Sequence, residues 1–589
     1  MTTTLPVLDN PFQLPLRNRT LAACVESVLG LRRLAKGYQE RPADASSAQF
    51  LQFALDALGV ELRLSNGEAL KNIPKTGPVL IVANHPLGGL EGIAIAHLLL
   101  AVRPDLKVLT NQILTRVPEL KELFIGVDVL SGNAARKNAT GILQVNRHLS
   151  NGGAVLLFPA GLVSAIEVKR RKIEDRPWNR IAGQLAKKHN ASCLPIYVNG
   201  RNSKLFYALG LIHPRLRTIM LARELANKQG RPLELRIGDL ISPKELQPLP
   251  DSQSVTHYLR ANTDLLAIDR KTTILQAGVS KASAPVEQTT VADHVVQSLQ
   301  DCLLVTRGNL EIYAAPFERL QSLMRIIGLS RELSFGAAGA STGKEDGIDR
   351  YDPHYMQFFI WDKEAKMIAG GYRMGKVEEI VEKHGLDALY SRSLYRYDKA
   401  FLKKIGPSLE MGRSFIHPDY QRQASVFEII WQGIGAYVSR NPQYCTLFGG
   451  VTISKEYSDL ARELIAESML EGFRAEQKFL TNIKPIRPLK TSKRVWTRDM
   501  LVALSNIKII NRLIGRCDPG KTIPLLFRHY LSLNGKFICF SLNSSLSDSL
   551  DGLVMVDLRE TPLKYLQRYF GKQEALDFLK KWDVIPCKD

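Results

Sequence analysis

The hydrophobic pattern of the first half of the chain alternates between short apolar runs and longer amphipathic ones. Pro78-Val-Leu-Ile-Val-Ala83 reads as a buried strand, and Ile93-Ala-Ile-Ala-His-Leu-Leu-Leu100 as a helix. Between them lies a Gly-rich turn, Asn84-His85-Pro86-Leu87-Gly88-Gly89-Leu90-Glu91-Gly92. Val108–Pro118 and Phe124–Asp128 continue the alternation. Ala154–Phe158, Ser192–Val198 and Leu233–Ile237 are further strands, and Ala154–Phe158 ends in a second turn, Pro159-Ala160-Gly161. Strands separated by helices imply an α/β layered domain. Residues 17–37 form a basic amphipathic segment. Leu21, Cys24, Val25, Val28 and Leu31 lie on one side, and Arg17, Arg19, Arg32, Arg33 and Lys36 supply charge. Such a segment suits an anionic membrane surface and equally a helix packed on its own domain.

Periodicity weakens from about residue 271. The small and polar stretch 276–295 is expected to be a linker between a domain over 1–275 and another over 296–589. In the second half, Leu303–Val305, Leu310–Tyr313, Tyr355–Trp361, Met367–Arg373, Leu409–Ile416 and Thr446–Val451 read as strands. Helices are expected through 325–333 and near 424–438 and 457–468. No internal repeat relates the halves, so the expectation is two different α/β domains.

At 589 residues the chain is long for one core, which agrees with two domains. The formal net charge of +21 changes the picture more. It favours an anionic partner: nucleic acid, an anionic membrane surface or an acidic protein. Without a zinc-finger, basic-zipper or RNP-like pattern, nucleic acid ranks last. Cys24, Cys193, Cys302, Cys445, Cys517, Cys539 and Cys587 lie far apart with no Cys-x-x-Cys, which reads as reduced core residues and no metal site. No signal-peptide pattern and no apolar run of about 18 residues is seen, so membrane association is expected to be peripheral. The basic run Lys169–Lys172, with Arg176 and Arg180 beyond, reads as a solvated face or as a dock for an acidic carrier protein or lipid headgroups.

Candidate chemistry begins at His85. It sits where a strand ends, on a Gly-rich turn, with Glu91 six positions on. A His beside a carboxylate is held in one tautomer and takes a proton from a hydroxyl as that oxygen attacks a carbonyl. Gly88 and Gly89 let the backbone approach a substrate closely. In the second half, Arg373, Asp349, Asp352, Glu410 and Arg413 sit within or beside apolar strands, where charge is costly unless paired. Glu410 and Arg413 are three apart in one strand, hence on opposite faces unless a bulge intervenes.

Asn-His-Pro-Leu-Gly-Gly-Leu-Glu-Gly resembles the first motif of the glycerolipid acyltransferase family, with five residues between His85 and Glu91 where the family has four before an Asp. Phe158-Pro159-Ala160-Gly161 stands where that family has Phe-Pro-Glu-Gly, and Leu194-Pro195-Ile196 resembles its apolar fourth motif. The resemblance covers residues 20–250. It implies His85 as base, Glu91 as its orienting acid and Gly88, Gly89, Pro159 and Gly161 at the substrate. Ala160 argues against a lysophosphatidic acid acceptor. Arg331-x-x-x-Phe335, Asp349-x-x-Asp352, Gly-Tyr-Arg373 and Glu410-x-x-Arg413 resemble, in order, the acyl-homoserine-lactone synthases of the acetyltransferase-like superfamily. The family's Trp is missing, which argues against lactone synthesis. Pro524–Leu531, Asn534-Gly535 and Asp551-Gly552 bring the chain nearer the ornithine N-acyltransferases.

Together the halves resemble the bifunctional ornithine lipid synthases. That implies N-acylation of ornithine or another amino acid by the C-terminal half, with a 3-hydroxyacyl group from acyl carrier protein. Glu410 would orient or deprotonate the amine, and Arg373 and Arg413 would bind the acceptor carboxylate or hold the acids. The N-terminal half would then O-acylate the lyso-aminolipid. The implied donor is an acyl carrier protein thioester, with no metal or resident cofactor, and the implied place the cytoplasmic face of the inner membrane. The alternatives are a glycerophospholipid acyltransferase with an accessory C-terminal domain, and synthesis of a glycine or other amino-acid lipid.

Overall fold

The computed structural model describes residues 12, 18–127, 138–168, 172–268, 286–320, 322–490 and 495–585. The chain forms two compact units, residues 1–270 with 495–506 and residues 271–494 with 507–589. Segment 495–506 thus lies in the first unit although it follows the expected linker in sequence. Trp496, Met500, Leu501 and Leu504 bury their side chains there, beside the helix Ser252–Leu265. Of the expected linker, 276–285 lies outside the described residues, as do Arg17, Asp128, Lys169–Arg171 and Cys587; a helix, Val286–Gln297, begins within its second part.

The first unit is built on a seven-stranded sheet. Its strands are β1 (Leu62–Ser65), β2 (Val79–Ala83), β3 (Lys107–Asn111), β4 (Phe124–Val127), β5 (Ala154–Leu157), β8 (Ser192–Asn199) and β9 (Leu233–Ile237), in the order β1-β9-β8-β2-β5-β3-β4. A separate hairpin joins β6 (Ala165–Glu167) and β7 (Lys172–Glu174). All sheet pairings are parallel except β8 with β9. β2 and β5 are buried on both faces, which explains why their sequences are unbroken apolar runs. The expected basic amphipathic segment is two helices, α1 (Arg19–Val28) and α2 (Leu31–Gln39), because Gly30 breaks it with φ +71°. After α3 (Ser47–Ala57), the helix following β2 is α4 (Leu90–Leu100); it starts early enough to carry Glu91 in its first turn. Beyond β8 come three short helices, α5 (Lys204–Ile212), α6 (Pro214–Ile219) and α7 (Leu221–Ala226).

The second unit holds an eight-stranded sheet ordered β10-β11-β12-β13-β15-β16-β19-β18. These are Leu303–Arg307, Leu310–Pro316, Met356–Asp362, Met367–Lys376, Ser408–Ile416, Thr446–Ile453, Ser549–Asp557 and Lys536–Asn543 respectively. A small ribbon pairs β14 (Tyr395–Tyr397) with β17 (Ile483–Pro485). Only β15 and β16 pair in parallel, and only from Ser408/Thr446 to Met411/Gly449. Past that point each continues beside its other neighbour, so the two strands part. Helix α8 (Leu323–Ala337) packs on β13 and β15, and α9 (Ala424–Arg440) on β10 and β11. β13 runs on to Lys376, so Arg373 lies inside the strand rather than at its end. The six described cysteines are free, but only Cys193 and Cys445 are buried; Cys24 is exposed. Among the described residues no helix is long and apolar enough to cross a membrane, and no group of His, Cys, Asp and Glu forms a metal site.

Candidate active sites

In the first unit the His85 turn leaves the carboxyl end of β2, in the middle of the sheet, with β5 and β8 beside it. This is where open parallel sheets expose side chains to ligands. The turn is held from every side. Asn84 Nδ2 donates to Val198 O at 3.0 Å and its Oδ1 accepts from Val198 N–H at 2.7 Å, locking the turn to β8. Asn202 Nδ2 donates to Pro86 O and Leu87 O at 3.2 Å each. Gly88 takes φ +103°, and a Cβ there would meet Leu221 Cδ2 at 2.5 Å, so only glycine fits.

His85 Nδ1 lies 2.9 Å from Glu91 Oε1. The five-residue spacing is therefore no obstacle: the longer Glu, entering from the first turn of α4, reaches the ring. Glu91 is fully buried, and its Oε1 also accepts from the Leu87 and Gly88 N–H groups at 2.9 and 2.8 Å. Burial opposes its ionisation. The His85 contact and the backbone N–H bonds outweigh burial and hold the carboxyl below its ordinary range. Nδ1 lies beside the carboxylate but is not aligned for a hydrogen bond to it, and Nε2 is the nitrogen left to act as a base. Phe158 packs against the imidazole with ring centroids 4.6 Å apart. Pro159 O accepts from Asn179 N–H. The Gly88 N–H serves Glu91 and the Gly161 N–H serves Phe158 O, so neither amide is idle as an oxyanion donor.

Sequence reasoning missed Asp175. Its carboxylate accepts from the His85 N–H at 3.2 Å, from Ser164 Oγ–H at 2.5 Å and from Trp178 Nε1–H at 3.0 Å. Ser164 N–H in turn donates to His85 O at 2.8 Å. Both backbone groups of His85 are thus clamped by one Asp–Ser pair. Asp175 lies in a charged stretch 90 residues away and carries no periodic signal, so only the fold reveals it.

In the second unit the charged residues form one alternating chain. Arg331 Nη1 donates to Asp352 at 3.0 Å, Arg373 Nη1 to Asp352 at 3.1 Å and to Asp349 at 2.6 Å, and Arg413 Nη2 to Asp349 at 2.9 Å. A β-bulge makes this possible. Arg373 pairs with Gly412 and Gly371 with Phe415, so Tyr372 alone faces Arg413 and Ser414, and Arg413 takes φ +54°. The extra residue turns Arg413 to the face of Arg373 and Glu410, from which regular alternation would exclude it. Burial works against the Asp349 charge, but Arg373 and Arg413 hold it well below the usual carboxylate range. Three guanidiniums against two carboxylates leave this cluster net positive. Arg373 Nε and Nη2 and Arg413 Nη1 are buried without a hydrogen-bond partner. Tyr390 lies under both arginines, at 4.9 and 5.0 Å, and Phe335 lies 5.8 Å from Arg413. Tyr390 leads to Asn543, which donates to its hydroxyl and to Asp551 Oδ2; Asp551 Oδ1 is buried and unpartnered.

Glu410 is set apart from the arginine chain. Its carboxylate accepts from Tyr355 Oη–H and, at 2.6 Å, from Ser391 N–H, and burial raises its pKa. The structure thus joins Arg331, Asp349, Asp352, Arg373, Arg413 and Phe335, and turns Glu410 toward the loop at 390–391.

A histidine beside a buried carboxylate on one α/β unit, and a buried arginine–aspartate cluster on a mixed sheet with parted parallel strands on the other, are the two candidate sites. The chain matches the Acyltransferase family model over residues 43–271 and the Acetyltransferase (GNAT) domain model over residues 330–432. The protein is an acyltransferase with an N-terminal acyltransferase domain and a C-terminal GNAT-type domain. It is similar to the glycine N(alpha)-acyltransferases of Phocaeicola vulgatus, 29% identical over 43% of this chain and 82% of that protein, and Bacteroides thetaiotaomicron, 28% identical over 48% and 88%. It is also similar to the lyso-glycine lipid O-acyltransferase of Phocaeicola vulgatus, 26% identical over 32% of this chain and 67% of that protein. A solved 1-acyl-sn-glycerophosphate acyltransferase from Thermotoga maritima aligns with 17% identity, 43% of this chain, 83% of that chain and a TM-score of 0.26.

Proposed function

We propose that this chain makes a doubly acylated amino-acid lipid in two steps. The observation that carries the reading is that one chain is similar both to an enzyme named for N-acylating glycine and to one named for O-acylating the lyso-glycine lipid. In the first step the α-amine of an amino acid attacks the thioester carbonyl of a 3-hydroxyacyl carrier. An amide bond forms, the C–S bond breaks, and the amine proton leaves with the thiol. The net positive arginine cluster and the free N–H groups of Arg373 and Arg413 suit the acceptor carboxylate, which two arginine forks bind well. The parted ends of β15 and β16 leave backbone groups for an extended, amide-bearing thioester arm. Glu410 supports the loop at 390–391 under the arginines.

In the second step the 3-hydroxyl of the lyso-lipid attacks another acyl thioester. His85 Nε2 takes the hydroxyl proton and passes it to the leaving thiolate, while Glu91 stabilises the imidazolium. An ester bond forms and the C–S bond breaks, with no acyl-enzyme.

Glycine is the acceptor that the relatives favour. The second reading is ornithine, whose second ammonium group would suit a buried carboxylate such as Asp551, beyond Tyr390 and Asn543, against the burial that raises the pKa of that carboxyl. The test uses purified protein with a 3-hydroxyacyl carrier thioester and glycine or ornithine in parallel, read by mass spectrometry. Formation of the lyso-lipid with one of the two supports the reading and names the amino acid. Acylation of neither, with lysophosphatidic acid acylated instead, overturns it.

A further inference from the structure

The pair of helices α5 and α6 is built inside out. On α5 the exposed positions are Lys204, Leu205, Ala208, Leu211 and Ile212, the solvent face of a 3.6-residue period, and that face is mostly apolar. On α6 Arg217 lies inside, 4% exposed beside Phe206 and Gly210, while Leu216 and Ile219 point out. Leu211, Ile212 and Ile219 are 58%, 74% and 52% exposed. Single exposed leucines are ordinary, but five large apolar side chains on two consecutive helices form a patch of the kind that marks an interaction surface. Its inner face is satisfied by its own small core of Val163, Phe206, Tyr207 and Met220.

Two further observations choose the occupant. The surroundings are rich in cations: Arg201 and Lys204 at the start of α5, and Lys172 and Arg176 on or just beyond the β6–β7 hairpin that packs against α5, are all exposed, against one exposed acid on that hairpin, Glu167 opposite Lys172, in a protein of net charge +21. The α5–α6 pair is also bracketed by two of the residues that touch the His85 turn, Asn202 before α5 and Leu221 after α6. We propose that α5–α6 is a bilayer-dipping hairpin, with Leu205, Leu211, Ile212, Leu216 and Ile219 entering the acyl region of an anionic membrane and the cations meeting its headgroups. This rests on the lyso-lipid reading above and deepens it. An acceptor whose acyl chain lies in the bilayer presents its hydroxyl at headgroup depth, and the hairpin sets the His85 turn at that depth.

The test is flotation of the full chain with phosphatidylcholine vesicles with and without phosphatidylglycerol, together with O-acylation of a short-chain, water-soluble lyso-lipid. The double variant Leu211→Ser/Ile212→Ser should lower vesicle partitioning at least about ten-fold and keep turnover of the soluble acceptor. Lys204→Glu, a milder change on the same face, should weaken binding about five-fold on phosphatidylglycerol vesicles alone. Partitioning unchanged in both variants overturns the proposal. So does unchanged partitioning of the double variant together with a drop in oligomeric mass, which would make the face a contact between copies. If the wild type floats and the variants do not, but no lyso-lipid is acylated, the hairpin stands and the lyso-lipid reading falls.

Discussion

Replacing Glu91 by Gln removes one charge and leaves the size of the side chain almost unchanged, so it isolates what the carboxylate does. Glu91 Oε1 takes three contacts within 2.9 Å: His85 Nδ1 and the N–H groups of Leu87 and Gly88. A Gln carbonyl keeps the backbone bonds as neutral ones. Each weakens by about 0.5–1.5 kcal/mol, and relief of the buried charge offsets part of the loss, so the net destabilisation should be about 1–2 kcal/mol. The catalytic effect should be much larger. The imidazolium formed during proton transfer loses its counter-charge, because the Gln carbonyl that takes the place of Oε1 beside Nδ1 is neutral. Loss of an orienting carboxylate in this arrangement costs about 10³–10⁴-fold, or roughly 4–5.5 kcal/mol on the barrier. The pH dependence gives a second readout. Because the folded carboxyl is held below its ordinary range, its stabilising contribution is present above the unfolded value and is lost as pH falls through the folded one. Glu91→Gln should flatten that part of the acid stability curve, below about pH 4.5. The assay is O-acylation of lyso-lipid by the purified protein, with N-acylation by the same sample as the control for folding. A variant that keeps more than a tenth of the wild-type O-acyl rate would refute the assignment of Glu91.

Asp175→Asn should lower O-acylation by about 10–100-fold without changing N-acylation, since it loosens the clamp on the His85 backbone and touches no substrate; equal loss of both activities would mean general misfolding. Gly88→Ala should destabilise the first unit by about 2–4 kcal/mol through its left-handed φ and the Leu221 clash, measured by urea unfolding. Arg373→Ala leaves Asp349 and Asp352 short of a partner in a buried site and should cost about 3–5 kcal/mol in the second unit. Arg413→Lys keeps the charge but removes the fork. It should raise the amino-acid KM at least about ten-fold with a smaller change in kcat.

Most strands of both sheets were legible because their buried members are unbroken apolar runs or end in Gly-rich turns, as at β2 and the His85 turn, whereas β1, β18 and β19 were not read as strands. The motif residues were legible for the same reason: His85 and Glu91 are close in sequence and meet across one turn. What sequence hid was long-range. Asp175 reaches His85 from 90 residues away, and nothing in a charged stretch marks one acid as the buried one. The bulge at Arg413 depends on β13–β15 register, which single-strand periodicity does not contain. Gly30 looked compatible with a continuous helix because amphipathic spacing survives a one-residue break. Glu410 was legible by type and position, but its bonds to Tyr355 and Ser391 are long-range contacts that the sequence does not show. The exposed face of α5 and α6 escaped notice because apolar spacing alone does not say which side faces in.

The central claim is a two-step synthesis by one chain, and lipid mass spectrometry tests it most directly. A host lacking aminolipids would express the wild type, His85→Ala and Arg413→Ala. The account predicts a doubly acylated amino-acid lipid from the wild type, accumulation of the mono-acyl form from His85→Ala, and neither product from Arg413→Ala. A wild type that yields no aminolipid and instead changes the acyl composition of phospholipids would contradict it.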